Sequence, residues 1–135
     1  GVGYVFQNPD YQIFLPQVKD ELSYSLSFLK IKEKEKEKRL SETAALFSLS
    51  ISDTASLMSY GERKRLQSAI YYSLDRPFYI LDELDSALTY KESISILEKL
   101  SRNGAGILLI THDDDFASAV ADRGYRAREG RIYEE

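Results

Sequence analysis

The chain has 135 residues, enough for one domain with a sizeable core. Its formal net charge of -4 gives no electrostatic case for nucleic-acid binding, and the absence of cysteine excludes disulfides and thiolate metal sites. No apolar run approaches the roughly 20 residues of a membrane-spanning helix, and no signal peptide is evident, so we expect a soluble, cytoplasmic protein, with a peripheral membrane role left open. A strand-like run begins at Gly1 without a Met, so we expect a piece of a longer chain.

The first half is predicted to be mainly helical. Val2–Phe6 is an apolar strand that ends in the turn residues Gln7-Asn8-Pro9-Asp10. A loop at Ile13–Pro16 precedes a helix over Val18–Leu29. Alternating Lys and Glu over Lys32–Arg39 indicate a solvated helix face, because opposite charges lie four residues apart. The apolar face of that helix continues at Leu40, Ala44 and Phe47.

A polar linker, Ser52–Met58, leads into the sequence Ser59-Tyr60-Gly61-Glu62, which fits a capping box at a helix start. The helix that follows is predicted to bury Leu66, Ala69, Ile70 and Leu74, and Asp75-Arg76-Pro77 ends it. Phe78–Leu81 is a continuous apolar strand, which is typical of a strand covered on both faces of a parallel sheet.

The last third alternates between helix and strand. A second capping box, Thr89–Glu92, starts a helix with Ile94, Leu97 and Leu100 facing inward, and Asn103-Gly104 ends it. The strand Ile107–Ile110 and a short helix capped by Asp113 or Asp114 follow. Gly124–Arg128 and Arg131–Tyr133 are predicted to be closing strands. This alternation predicts an α/β fold with a mainly parallel sheet.

Polar side chains follow three of the apolar strands: Gln7, the pair Asp82-Glu83, and His112. Ligands bind at that edge of open α/β sheets, where one carboxylate can hold Mg²⁺ and another can polarise a water. Each signal alone also fits a plainer role: a turn or helix cap for the carboxylates, a structural histidine, or a glutamine that serves the turn. The start of the helix after Ser59 offers free N–H groups to an anion, and Gly61 permits close approach.

Together and in this order, these segments resemble the ATPase subunit of ABC transporters. Gly3–Gln7 resembles the Q-loop strand, Met58–Glu62 the signature motif, Phe78–Glu83 Walker B with the catalytic glutamate, and Ile107–His112 the switch-histidine strand. Ser86-Ala87-Leu88-Thr89 stands where the D-loop belongs. The resemblance covers nearly the whole chain. It implies an incomplete P-loop NTPase sheet flanked by helices, with residues 15–74 as a helical subdomain and residues 1–14 and 75–135 as a partial catalytic core.

The segment Phe6–Phe14 is similar to the Q-loop of energy-coupling-factor and cobalt-type importer ATPases. The resemblance implies a subunit that powers uptake of a vitamin or metal ion from the inner face of the cell membrane. It also implies a second ATPase subunit and a transmembrane partner, which residues 7–29 would face. It leaves the transported solute open.

The resemblance also implies roles for the individual residues. Gln7 would help to hold Mg²⁺ and the lytic water, Asp82 would hold Mg²⁺ through water, and Glu83 would act as general base. His112 would touch the γ-phosphate. The signature segment Ser59, Tyr60, Gly61 and Glu62 would contact ATP bound to the opposite subunit, chiefly through Ser59 and Gly61.

The sequence departs from the family pattern in several places. It contains no phosphate-binding Walker A loop, so we expect the isolated chain to bind neither ATP nor Mg²⁺ and to lack activity. Tyr60 replaces a signature glycine, Leu84-Asp85 replaces Pro-Thr, and Thr89 replaces the D-loop aspartate. The missing phosphate-loop strand leaves a gap of roughly 10 Å in the sheet, and we expect self-association through the open edge, swapping or partial disorder unless the gap closes.

Two other interpretations stay open. One is a soluble ATPase of the same superfamily that works in DNA repair, chromosome organisation or translation, although the short helical insert favours the transporter. The other is a non-catalytic interaction fragment in which Asp82 and Glu83 are vestigial, an interpretation that the unusual signature and D-loop support.

Overall fold

A computed structural model describes residues 2–5, 13–128 and 131–134. In these residues, strands and helices alternate after a helical first half. In chain order the elements are β1 (Val2–Val5), α1 (Val18–Leu26), α2 (Glu33–Leu46), a 3₁₀ turn (Ala55–Leu57), α3 (Tyr60–Leu74), β2 (Phe78–Asp82), a second 3₁₀ turn (Leu84–Ala87), α4 (Tyr90–Ser101), β3 (Gly106–Ile110), α5 (Asp114–Val120), β4 (Tyr125–Arg128) and β5 (Arg131–Glu134).

The main sheet is parallel, as the sequence predicts, and has the order β1-β2-β3. Leu81 in the central strand β2 is paired with Val5 on one side and with Leu109 on the other. The carboxyl ends of the three strands therefore lie at the same edge, and Asp82 is paired with Ile110 at that edge. This register sets the geometry of the candidate site.

Two glycines allow the aromatic side chains of β2 to lie across the neighbouring strands. A Cβ atom on Gly3 would lie 2.5 Å from the Tyr79 ring, and one on Gly106 would lie 2.7 Å from the Phe78 ring. Successive side chains of a strand point to opposite faces, so the two rings cover opposite sides of the sheet. The glycines are therefore packing sites, where a larger residue would displace a ring.

One face of the sheet is buried and the other is partly open. Tyr79 and Leu81 are buried in the core, whereas Phe78 on the alternate face is 40% exposed. The open face also carries the exposed side chains of Val2, Leu108 and Ile110. The prediction that Phe78–Leu81 is covered on both faces is therefore wrong for the described part of the chain, because the helices that complete the core pack on one face.

The helix α3 is the centre of the described structure. It contacts α1, α2, α4 and β1. Leu66, Ala69 and Ile70 are buried as predicted, whereas Leu74 is only partly buried. Gln67 and Ser68 between them are also fully buried, so the helix is enclosed on more than one face. Five consecutive buried residues, 66–70, distinguish α3 from a surface helix with one apolar stripe.

The flanking helices follow the predictions with local differences. α1 ends at Leu26 rather than Leu29, because the N–H groups of Phe28 and Leu29 bond to carbonyl groups three residues back instead of four. In α4, Ile96 and Leu100 are buried, while the predicted inward residues Ile94 and Leu97 are only partly so. α2 is the predicted charged helix. Its buried face includes Ala44 and continues into Phe47, and an ion pair joins Glu35 to Arg39 at 3.8 Å.

The strands β4 and β5 form an antiparallel hairpin that is a separate sheet within the described residues. A break between this hairpin and the main sheet is what the missing phosphate-loop strand predicts. Asp113, rather than Asp114, caps α5 by accepting a hydrogen bond from the Phe116 N–H. Among the residues that the structure describes, no helix has the length and hydrophobicity needed to cross a membrane.

Candidate active site

The candidate site begins at the carboxyl end of β2. Asp82 is the last residue of this strand and is half-buried. The Tyr4 hydroxyl lies 3.5 Å from Asp82 Oδ2, a distance at the limit of hydrogen bonding. The strand therefore holds the carboxylate at the sheet edge, and carboxylate oxygens are suitable ligands for hard cations.

Glu83 follows with a left-handed backbone conformation, φ 52° and ψ 47°. This conformation is unfavourable for a residue with a Cβ and needs support from its surroundings. The Glu83 N–H donates to the Ile110 carbonyl at 2.8 Å, and the Glu83 carbonyl accepts from the Ser86 N–H at 3.1 Å. The left-handed turn ends β2 and starts the 3₁₀ turn, so the Glu83 side chain leaves the sheet in a fixed direction.

Glu83 and His112 meet at this edge. His112 Nε2 lies 2.8 Å from Glu83 Oε1. The histidine side chain is 92% exposed, whereas the glutamate side chain is only 19% exposed. Because β2 and β3 are adjacent and in register, their carboxyl ends bring these two residues together from positions 29 apart in the sequence. The arrangement presents a partly buried carboxylate with an imidazole partner open to solvent, which suits activation of a water molecule.

A buried lysine, Lys64, lies behind the carboxylate pair. It belongs to α3 and is fully buried. Its Nζ donates to the backbone carbonyl oxygens of Asp82 at 3.3 Å and of Glu83 at 3.1 Å. Burial lowers the pKa of Lys64 to about 8, and the nearby carboxylates of Asp82, Glu83 and Asp85 oppose that shift because they favour the ammonium form.

No pattern in the sequence indicates that Lys64 belongs to the site. It lies two residues before Leu66, outside the predicted apolar stripe of α3, and a lysine is among the residues least often buried. Asp85 stands out in the sequence only as a departure from the family pattern. Its Oδ2 accepts from the Thr111 hydroxyl at 3.0 Å, while its buried Oδ1 has no hydrogen-bond partner among the described residues. The site is therefore more acidic, and more dependent on Lys64, than the motifs indicate.

The signature segment forms the predicted capping box. The Ser59 hydroxyl accepts from the Glu62 N–H at 3.1 Å, and the Glu62 carboxylate accepts from the Ser59 N–H at 3.3 Å. The pKa of Glu62 is lowered because the Ser59 hydroxyl, and then the Ser59 N–H, donate to the Glu62 carboxylate. Tyr60 and Gly61 occupy the first two positions of α3. Lys64, the residue of α3 that contacts the backbone of the carboxylate pair, lies about 7 Å further along the helix axis than this segment.

The predicted D-loop follows Glu83 directly. Ser86 and Ala87 lie in the 3₁₀ turn, Leu88 is extended, and Thr89 is the N-cap of α4. The Thr89 hydroxyl accepts from the Glu92 N–H at 3.1 Å, so the predicted second capping box is confirmed. Gln7, the remaining predicted site residue, lies outside the described residues.

An apolar groove lies between α1 and α3, away from the carboxylates. It has a volume of about 290 Å³, and Phe14, Tyr24, Phe28 and Tyr71 contribute to its lining. The rings of Phe14, Tyr24 and Phe28 form two edge-to-face pairs, with centroids 5.6 and 5.2 Å apart. Phe14 and Phe28 are each more than 60% exposed, which is unusual for large apolar side chains side by side.

The buried carboxylate of Glu21 lies in the lining of this groove. Its Oε1 accepts from the backbone N–H groups of both Phe14 and Leu15, at 2.5 Å each. Burial raises the pKa of Glu21, the two hydrogen bonds oppose the shift, and the charge of Asp20 adds to it. Glu21 therefore fixes the segment that carries Phe14 into the aromatic row.

Comparison with known proteins was made by sequence and by structure. No protein-family model matches the chain. It is 32% identical over 136 residues to a putative ABC transporter ATP-binding protein of Methanosarcina mazei, covering 97% of this chain and 23% of that protein. It is 35% identical over 120 residues to the energy-coupling factor transporter ATP-binding protein EcfA1 of Thermotoga maritima, covering 85% of this chain and 46% of that protein.

Among solved structures, CbiO1 from Clostridium perfringens, part of the ABC transporter complex CbiONQ, superposes with a TM-score of 0.83. The two sequences are 27% identical, and the match covers 97% of this chain and 55% of the other. The chain therefore has part of the fold of an ABC ATPase domain, and it spans between about a quarter and a half of the two curated relatives described above.

Proposed function

The chain is homologous to the ATP-binding proteins of ABC transporters, and on this premise we propose that it forms part of an ATP-hydrolysing subunit that powers membrane transport. The observation that carries the proposal is the 2.8 Å contact between Glu83 and His112, directly after Asp82 at the edge of a parallel sheet. Glu83 acts as the general base on the attacking water, and His112 contacts the γ-phosphate.

Asp82 suits a magnesium site. Magnesium in nucleotide sites usually takes one or two carboxylates, together with phosphate oxygens and waters. The half-buried Asp82 carboxylate, with its one long contact to Tyr4, provides such a ligand. Among the described residues, no group of three or more acidic or histidine side chains is placed to hold a metal. The ion would neutralise charge on the phosphates, with Gln7 as a second ligand.

The signature segment serves the opposite subunit of a dimer. The N-terminus of α3 carries a positive dipole end, and Ser59 and Gly61 lie at that end to contact the γ-phosphate of ATP on the partner. Tyr60 and Glu62 belong to the same contact, where the tyrosine ring takes the place of a backbone approach. Ser86, Ala87, Leu88 and Thr89 face the partner as the D-loop, with a hydroxyl where the family has a carboxylate.

The apolar groove is the docking site for a transmembrane partner. Its exposed aromatic row lies within the segment that the family resemblance assigns to that contact, and the edge of the groove is apolar enough to accept a helix from another subunit. Docking there places the subunit on the inner face of the cell membrane. Uptake of a vitamin or a metal ion is what the resemblance of residues 6–14 to an importer Q-loop implies, and both EcfA1 and CbiO1 belong to transporters.

A chimera tests the catalytic part of the proposal. The matching segment of Thermotoga maritima EcfA1 is replaced by this chain, so that a phosphate loop precedes it, and phosphate release is measured with MgATP. We expect turnover that falls at least about a hundredfold in the Glu83→Gln chimera, the scale on which loss of a general base acts. A chimera that binds MgATP but releases no phosphate would favour the non-catalytic alternative, in which Asp82 and Glu83 are vestigial.

The isolated chain provides the complementary measurement. Without a phosphate loop there is no backbone nest for the phosphates, so we expect negligible phosphate release from the chain alone. Turnover by the isolated chain that Glu83→Gln abolishes would contradict this part of the proposal.

A further inference from the structure

We propose that Lys64 is a positioning residue for the general base: through the carbonyl oxygens of Asp82 and Glu83, its ammonium group holds the backbone that aims the Glu83 carboxylate at His112. This inference rests on the proposed function. It assigns a role to a residue that belongs to none of the motifs in the sequence.

The contact between Lys64 and the two carbonyl groups is short and buried. Lys64 crosses from the central helix α3 to the end of β2, and its Nζ lies 3.3 Å from the Asp82 oxygen and 3.1 Å from the Glu83 oxygen. The side chain is completely buried, so water does not compete for the ammonium group. A side chain held between two carbonyl groups in a dry site has little freedom to move.

These two carbonyl groups control the backbone conformation at Glu83. They lie on either side of the Glu83 Cα, so together with the N–H bond to Ile110 they fix the peptides before and after this residue. Glu83 has the left-handed φ of 52°, a conformation that persists only where the surroundings impose it. The direction of the Glu83 side chain follows from that backbone, and with it the 2.8 Å contact to His112.

The burial of the Lys64 ammonium group has an energetic cost. Burial of an ammonium group is unfavourable unless hydrogen bonds and opposite charges compensate for it. Lys64 is compensated by two carbonyl groups and by three carboxylates, of which Asp85 has a buried oxygen without a hydrogen-bond partner among the described residues. An apolar residue would fill the same space without this cost, but it could not hold the two carbonyl groups. The lysine therefore serves the geometry of Glu83.

The test uses the 135-residue chain and the ring signal of His112, its single histidine, in NMR spectra at one fixed pH. The Glu83→Gln chain gives the signal of a ring that has lost the carboxylate. We expect Lys64→Met to move the His112 signal most of the way to that position, and Lys64→Arg, which keeps a donor, to stay near the wild type. A Lys64→Met signal at the wild-type position overturns the proposal.

Two further variants guard against a general loss of structure. Ser73→Ala removes a buried hydroxyl from the far end of α3, and we expect its His112 signal to remain at the wild-type position. If Lys64→Met does not fold, Lys64→Gln replaces it, because a side chain one atom shorter cannot reach both carbonyl groups. The expected shift is in the same direction, and a wild-type signal again overturns the proposal.

The EcfA1 chimera separates this inference from the proposed function. There, we expect Lys64→Met to lower kcat by about tenfold to a hundredfold, the effect of a misplaced catalytic group, with KM for MgATP changed by less than about threefold. An equal fall in kcat for Ser73→Ala would overturn the positioning role. If no chimera turns over but the His112 signal moves as expected, the proposed function fails and the geometric role of Lys64 is supported.

Discussion

Glu21 gives the sharpest prediction for the stability of the chain. Its Oε1 is the acceptor for two backbone N–H groups, and each buried donor without an acceptor costs about 1–3 kcal/mol. Glu21→Met removes the acceptor for both donors, which would lower the free energy of unfolding by about 2–6 kcal/mol. We expect a loss in the lower half of that range, because the groove is open to water. Glu21→Gln keeps an oxygen in the same place, so its free energy of unfolding in urea should stay within about 1 kcal/mol of the wild type.

The same pair of variants predicts a pH dependence. Burial raises the pKa of Glu21, so above pH 4.5 the folded chain retains a proton that the unfolded chain has released. The contribution of Glu21 to the free energy of unfolding is therefore fully present only below pH 4.5, and it is lost as pH rises from 4.5 through the raised pKa. Glu21→Gln should remove this loss, so that its stability relative to the wild type increases toward neutral pH.

The matched control for the loss of a carboxylate is Glu37→Gln on the exposed face of α2, whose free energy of unfolding should stay close to that of the wild type. A loss of stability in Glu21→Gln as large as that in Glu21→Met would mean that the charge, and not the acceptor, holds the Phe14 segment. A pH profile of Glu21→Gln parallel to the wild type would contradict the assigned pKa direction.

Three other predictions concern stability and association. Tyr79→Phe removes a hydroxyl that accepts from the Arg76 N–H and donates to the Tyr71 carbonyl. It should lower the free energy of unfolding in urea by about 1–2 kcal/mol. No loss would mean that water replaces both hydrogen bonds. Thr89→Ala should cost about 1 kcal/mol while Thr89→Ser costs little, and equal losses would show that the cap is not the cause. The chain should associate with increasing concentration in sedimentation experiments, and Leu108→Lys on the open sheet face should reduce this association; a monodisperse wild-type chain would count against it.

Local patterns in the sequence predicted the elements and the shared sheet edge at which the polar residues after the strands lie. Capping boxes at Ser59 and Thr89 mark helix starts because a side chain and a backbone group three residues apart bond to each other, and both are present. The meeting of Glu83 and His112 follows from the parallel sheet, in which residues after adjacent strands share an edge.

The features that sequence could not predict depend on packing between distant segments. Lys64 is buried because α3 is enclosed on more than one face, and no periodicity in α3 alone indicates this. The continuous apolar sequence of β2 predicts cover on both faces, but Phe78 is 40% exposed. An apolar sequence shows that a strand can be buried, but it does not show whether another element packs against each face. The aromatic groove likewise requires Phe14 to lie beside Tyr24, a contact that the bonds to Glu21 impose.

The enclosed position of α3 also sets the order in which the chain opens. Local unfolding begins where few contacts must break, and the last amide groups to exchange with solvent are those released only by global unfolding. The N–H groups of residues 66–70 meet that description, since α1, α2, α4 and β1 all pack against the helix that carries them. In native-state hydrogen exchange, α3 should report the global free energy of unfolding, and the hairpin β4–β5, which forms a separate two-stranded sheet, should exchange well before it.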